Sequence, residues 1–196
     1  MNKRMAIPLM VLLCLGCSQS PAVQYYVIEP LIQPAPTYQT TRPVTIGIGP
    51  ITLPEILSTQ KIVTRNTGNT VKIAEFHQWA SSLDDNFLQA LTQNLARLQP
   101  AYLFRAYPWS IYGMVDKQIV VDVIRFDATP GESVNLEANW TIKNESDHAV
   151  LKIGRSAINR PLNDKSYSGT VKALSNLLAD FSRELSVALL QTELSH

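Results

Sequence analysis

Cysteine is nearly absent: the 196-residue chain has two, Cys14 and Cys17, both close to its start. Two thiols separated by two residues at one end cannot cross-link distant parts of a domain, so a hydrophobic core must hold the fold. Histidine is scarce as well. His77, His148 and His196 are the only three, and no H-x-x-H or H-E-x-x-H spacing occurs, which leaves no metal-site signature. Charged residues make up 17% of the chain, below the ~25% typical of soluble domains. The 17 Lys and Arg against 16 Asp and Glu give a net charge of +1, so no long-range field favours nucleic acid. No phosphate loop is present either, because Gly47 and Gly49 lie in a strand-like run and fit neither G-x-G-x-x-G nor the Walker pattern.

What is present begins with an export signal. Lys3 and Arg4 precede an apolar run over residues 5–15 and then Gly16 and Cys17, the layout of a signal peptide. That run is far shorter than the ~20 apolar residues a membrane-spanning helix needs. Leu15-Gly16-Cys17 resembles the bacterial lipobox, in which the cysteine receives a diacylglyceryl group and becomes the N-acylated first residue of the mature protein. Cys14 stands where the lipobox usually has leucine, and Leu13 is too large to precede a modified Cys14. The alternative is an ordinary secretory signal cut nearby. A CxxC redox pair would open a helix after a strand, not sit inside an apolar export signal. Ser18 after the cysteine, rather than Asp, implies sorting to the outer membrane by resemblance to the lipoprotein rule.

The chain is then expected to divide into a lipoprotein signal peptide (1–16), a lipidated tether (17–24) and a single periplasmic α/β domain (25–196). The seven residues 18–24 reach ~25 Å at most. With 45% hydrophobic residues the remainder can bury one sizeable core. Pro34, Pro36 and Pro43 mark a second extended linker.

The apolar pattern predicts strands around two helices. Val44, Ile46 and Ile48 share one face of a strand in which Gly47 and Gly49 invite close approach. Two β-branched runs flank residues 66–69, a hairpin signal. From Phe76 to Leu98 apolar residues recur at three and four, with Asn94 the polar interruption, and predict an amphipathic helix; Ser82 and Asp85 suggest that its regular part starts there. Residues 118–128 are apolar on both faces, as in a central strand covered twice. Residues 133–143 alternate, with Val134, Leu136, Ala138, Trp140 and Ile142 inward, and residues 149–158 complete a meander. A long helix from about Ser166 to Glu193 carries Val171, Leu174, Leu178, Phe181, Leu185 and Leu189 on one stripe.

Candidate chemistry is thin. His77 falls at the expected helix start and His148 in a turn. Asp84-Asp85 read as a negative first helical turn in preference to an acid-base pair. Tyr25, Tyr26, Trp79 and Trp109 are the aromatic candidates for partner contact, since large rings anchor interfaces; packing is the competing role for each.

The blocks "YYVIEP", "VTIGIGPITLPEIL", "KIVTR", "FHQWASSLDDNF", "NLARLQPA" and "VDVIRFDA", in this order after a lipobox, resemble the PqiC family of auxiliary lipoproteins of intermembrane lipid transport. The likeness covers nearly all of the mature chain, and Ser81-Ser82 depart from it at the helix entry. The resemblance implies a fold like the N-terminal domain of TolB: α/β, a mixed sheet with antiparallel hairpins and two long amphipathic helices. It implies no enzyme activity and no cofactor beyond the acyl groups on Cys17. It also implies a homo-oligomeric ring on the periplasmic face of the outer membrane, partnered with a PqiA-like membrane protein and a PqiB-like MCE tunnel, supporting envelope integrity. The alternatives are a stand-alone lipid- or cell-wall-binding lipoprotein and a periplasmic hydrolase.

Overall fold

The computed structural model describes residues 21–32, 43–66, 68–109 and 113–194. Strands β1 (Gln24–Tyr26), β2 (Thr45–Thr52), β3 (Lys61–Arg65) and β4 (Val71–Trp79) precede helix α1 (Leu83–Leu98). Then come β5 (Leu103–Ala106), β6 (Lys117–Thr129), β7 (Ser133–Asn144), β8 (Val150–Pro161) and helix α2 (Tyr167–Glu193). The strands form a five-stranded sheet in the order β5-β2-β6-β7-β8 and a three-stranded sheet in the order β1-β4-β3. Both are mixed: β2 runs parallel to β5 and β6, and β1 parallel to β4, while β3-β4 and β6-β7-β8 are antiparallel. The expected α/β class with hairpins and two long helices is therefore what the chain adopts, with two sheets in place of one.

Strand β7 behaves as its alternation dictates. Val134, Leu136, Ala138, Trp140 and Ile142 are all buried, while Asn139 is exposed. Asn135, on the outward face, is buried too, because its amide donates to Asp127 Oδ1 at 3.2 Å and accepts from Asn159 at 2.6 Å. Central strand β6 departs from the expectation of cover on both faces. A register shift between Val123 and Arg125 lets Phe126 and Ala128 face the same core as Ile119 and Val121, and Ile124 is left 44% exposed. Such a bulge puts two residues opposite one and resets the alternation.

The helix expected from Phe76 begins instead at Leu83, and Phe76, His77 and Trp79 belong to β4. Ser82 Oγ accepts from the Asp85 amide at 3.2 Å and closes the start of α1. The residues before it are committed to sheet pairing on both sides, to β1 and to β3. At α2, Ser166 Oγ accepts from Gly169 N at 3.0 Å, and the whole expected stripe is buried. Phe87 joins the layers: it meets Phe126 edge-on at 5.2 Å and lies 6.5 Å from Phe181.

The glycines of β2 do admit close neighbours. A Cβ at Gly47 would lie 2.9 Å from the Trp109 ring. One at Gly49, where φ is +115°, would lie 2.7 Å from Tyr107 Cβ, so a side chain there is excluded by both space and backbone.

Candidate docking surface at the tether

Cys17 and Ser18 lie outside the described residues, as do His196 and most of the proline-bearing linker. The first described element on the way from the tether is β1. Its parallel pairing sets Gln24, Tyr25 and Tyr26 opposite His77, Gln78 and Trp79. Alternate residues of a strand face opposite ways, and the two tyrosines divide accordingly. Tyr26 turns inward: its hydroxyl donates to Gln24 Oε1 at 2.7 Å and lies 2.8 Å from His77 Nδ1. Burial, and then the neighbouring Tyr167, push the Tyr26 hydroxyl above its usual pKa. His77 in turn stacks on Tyr167 with centroids 4.0 Å apart. Tyr25 turns outward and is 65% exposed, flanked at alternate positions by the exposed Val23 and Val27.

The other two aromatic candidates do not join this surface. Trp79 is 3% exposed and belongs to the core with Leu83 and Phe87; its expected place at a helix start would have left room for contact, but the strand turns it inward. Trp109 packs over Gly47 and edge-on to Tyr107 at 5.3 Å, beside the other sheet. Of the four, only Tyr25 offers most of its ring to a partner.

The segment after β1 is pinned to both helices. Ile28 N and Leu31 N donate to the amide oxygens of Asn86 and Asn94 at 3.3 and 2.7 Å, and Glu29 N donates to Ser175 Oγ at 3.1 Å. Arg97 donates to the Leu31 carbonyl. Asn94, fully buried, also donates to Ser182 Oγ at 3.1 Å, so one side chain ties the N-terminal segment, α1 and α2 together. The polar interruption in the α1 stripe was the sequence signal for this pin; its partners lie 63 and 88 residues away in the chain. Asn94→Leu keeps the branched shape of the side chain and strands the Leu31 amide. A loss of about 1–3 kcal/mol is expected, read as a lower urea midpoint with an unchanged slope.

His77 is held by Tyr26 and Tyr167, and His148 sits exposed in a turn with φ of 57°. Asp84 and Asp85 form the first turn of α1, where burial and then the charge of Asp85 raise the Asp84 pKa. Among the described residues no group of three or more His, Cys, Asp or Glu could hold a metal ion, and no helix is long and apolar enough to cross a membrane.

The family model described as the ABC-type transport auxiliary lipoprotein component matches residues 26–186. Among solved structures, an uncharacterized protein covers 86% of this chain and 99% of its own, with TM-score 0.71 and 17% identity. A Xanthomonas campestris protein assigned to DUF330 covers 88% and 98%, with TM-score 0.68 and 16% identity. At these identities the likeness is one of fold. TolB from Acinetobacter baumannii is also a structural neighbour, with TM-score 0.38 and 10% identity over 81% of this chain and 29% of its own. No curated protein matches the chain.

Proposed function

Because the chain belongs to the family of ABC-type transport auxiliary lipoprotein components, we propose that it is a non-catalytic docking subunit of an intermembrane lipid transport system. Acyl groups on Cys17 hold it at the periplasmic face of the outer membrane, with Ser18 as the sorting residue. As a homo-oligomeric ring it receives the end of a PqiB-like MCE tunnel whose membrane partner is PqiA-like.

The observation that carries this reading is the joint between tether and domain. Residues 18–24 reach ~25 Å at most, and β1 directly after them is fixed to β4 and, through residues 28–31, to both helices. A domain held this near the membrane suits receiving something at that surface. Tyr25, outward on β1, is the aromatic available to the partner; tyrosine is enriched at the energetic centres of interfaces.

The test is coexpression of the tagged, full-length chain with an MCE protein encoded beside it, extraction in mild detergent, and native mass spectrometry of the eluate. The expected result is an oligomer that retains the MCE protein, with Tyr25→Ala lowering retention several-fold at unchanged thermal stability. A monomer that never retains the partner, under conditions preserving other envelope complexes, overturns the proposal.

A further inference from the structure

Away from β1, at the hairpin of β3 and β4, the structure concentrates positive charge beside an apolar cleft. Asp127 is buried, and its Oδ2 accepts from Nε of both Arg125, at 2.8 Å, and Arg65. Burial pushes the Asp127 pKa up, but hydrogen bonds from Arg125 and Arg65 and their charges bring it below the usual carboxylate range, so it stays ionised at neutral pH. Asn135 takes its other oxygen. Each arginine is thus gripped by Nε, and among the described residues its terminal nitrogens have no hydrogen-bond partner. Both arginine side chains remain partly exposed, at 44% and 34%.

Two hollows meet at Arg65. One is polar, about 690 Å³, and carries Lys72 and Lys165 with Glu132 on its rim. The other is apolar, about 250 Å³, walled by Ile56, Val63, Val71 and Ile124 over Phe126, with Arg65 and Arg125 at its edge. Four cations and two carboxylates line the two hollows, and the charge of Glu137 also reaches Arg125. Among the described residues neither lysine has a carboxylate partner; Lys72 lies over the Tyr167 ring. Ile56, Val71 and Ile124 are 51%, 37% and 44% exposed, so the bulge that turns Ile124 out of the core supplies one wall.

We propose that this junction binds an anionic amphiphile, with a phosphate or carboxylate head on Arg65 and Arg125 and the first part of an apolar tail in the cleft. Planar guanidinium groups pair with such heads in fork geometry, and the apolar wall gains by losing contact with water. The cleft takes only part of a long chain, which suits a molecule held at its head end while the rest stays elsewhere. This site is independent of Cys17 and of Tyr25.

The test uses the full-length lipidated chain in dodecyl maltoside and photolabelling with two probes bearing a diazirine in the tail, a phosphatidic acid and a fatty acid. Labels mapping to the segments around Ile56, Val71 and Ile124 for either probe support the site; which probe labels identifies the source of the head. Excess dodecyl phosphate should remove the label while the surrounding neutral detergent does not. Arg65→Gln with Arg125→Gln should lower labelling at least tenfold, with near-ultraviolet circular dichroism reporting the fold. Should that pair misfold, Ile124→Asp, on the exposed wall, should lower labelling with both arginines intact. Label spread evenly over the surface, or unaffected by Ile124→Asp, overturns the proposal. So does full competition by inorganic phosphate at the concentration of dodecyl phosphate, which would mark a site for the head alone. Photocrosslinking from Ile124→benzoylphenylalanine to another polypeptide in native membranes would assign the cleft to a protein and likewise overturn it.

Discussion

Cys17→Ser is expected to move essentially all of the protein out of the membrane fraction, or to leave it as an unprocessed precursor. The physical reason is the size of the anchor against what else is available. Each buried methylene contributes ~0.8 kcal/mol, and two or more acyl chains together hold stably where one does not. Among the described residues no helix replaces that anchor, and the near-neutral net charge of +1 gives no electrostatic substitute. Fractionation with intact mass measurement checks this: the wild type should carry the added mass of its acyl groups on Cys17. A Cys17→Ser chain that still fractionates as a processed membrane lipoprotein would remove the tether from the account.

Trp79→Ala is expected to cost about 3–5 kcal/mol of stability, the range for removing a large aromatic from a core. At this size that lowers Tm by about 6–20 °C. Trp79 is 3% exposed, its backbone amide donates to Gln60 O at 2.6 Å, and it joins the three-stranded sheet to the foot of α1. Calorimetry of Trp79→Ala beside Tyr25→Ala separates the two aromatic roles first considered together. The Tyr25 variant should melt within a degree or two of wild type and lose partner retention; the Trp79 variant should lose retention only as it unfolds. Equal melting temperatures would mean that Trp79 contributes surface, not core.

The parts of the fold legible from sequence are those whose pattern repeats locally. The alternation of β7 and the stripe of α2 each report one buried face, and a buried face imposes its period on the residues that make it. The N-cap at Ser82 is local for the same reason. The pattern misleads where one periodicity abuts another: Phe76, Trp79 and Leu83 stand at helical spacing, yet the first two are strand residues, and Tyr26, the β1 partner of Trp79, lies some fifty positions earlier. Strands as short as β1 and β5, of three and four residues, carry too little pattern to be read at all. The bulge at Ile124 is invisible for another reason, since it depends on which residue of β7 is opposite. The lipobox-like motif around Cys17 is legible in the sequence because it is contiguous. The Arg65–Asp127–Arg125 cluster is not, because Arg65 and Asp127 are 62 residues apart.

The pairing of β1 also has a mechanical meaning. On the proposed function, a lipid anchor would pull on the protein through the N-terminal end of this strand whenever the membrane and a docked partner moved apart. A pull along the strand acts in shear: the ladder bonds to β4 are strained together rather than peeled one at a time. Behind them stand the side-chain bonds from Asn86, Asn94 and Ser175 to residues 28–31, which spread the same force into both helices. The joint thus passes tension from its N-terminal end into the body of the domain.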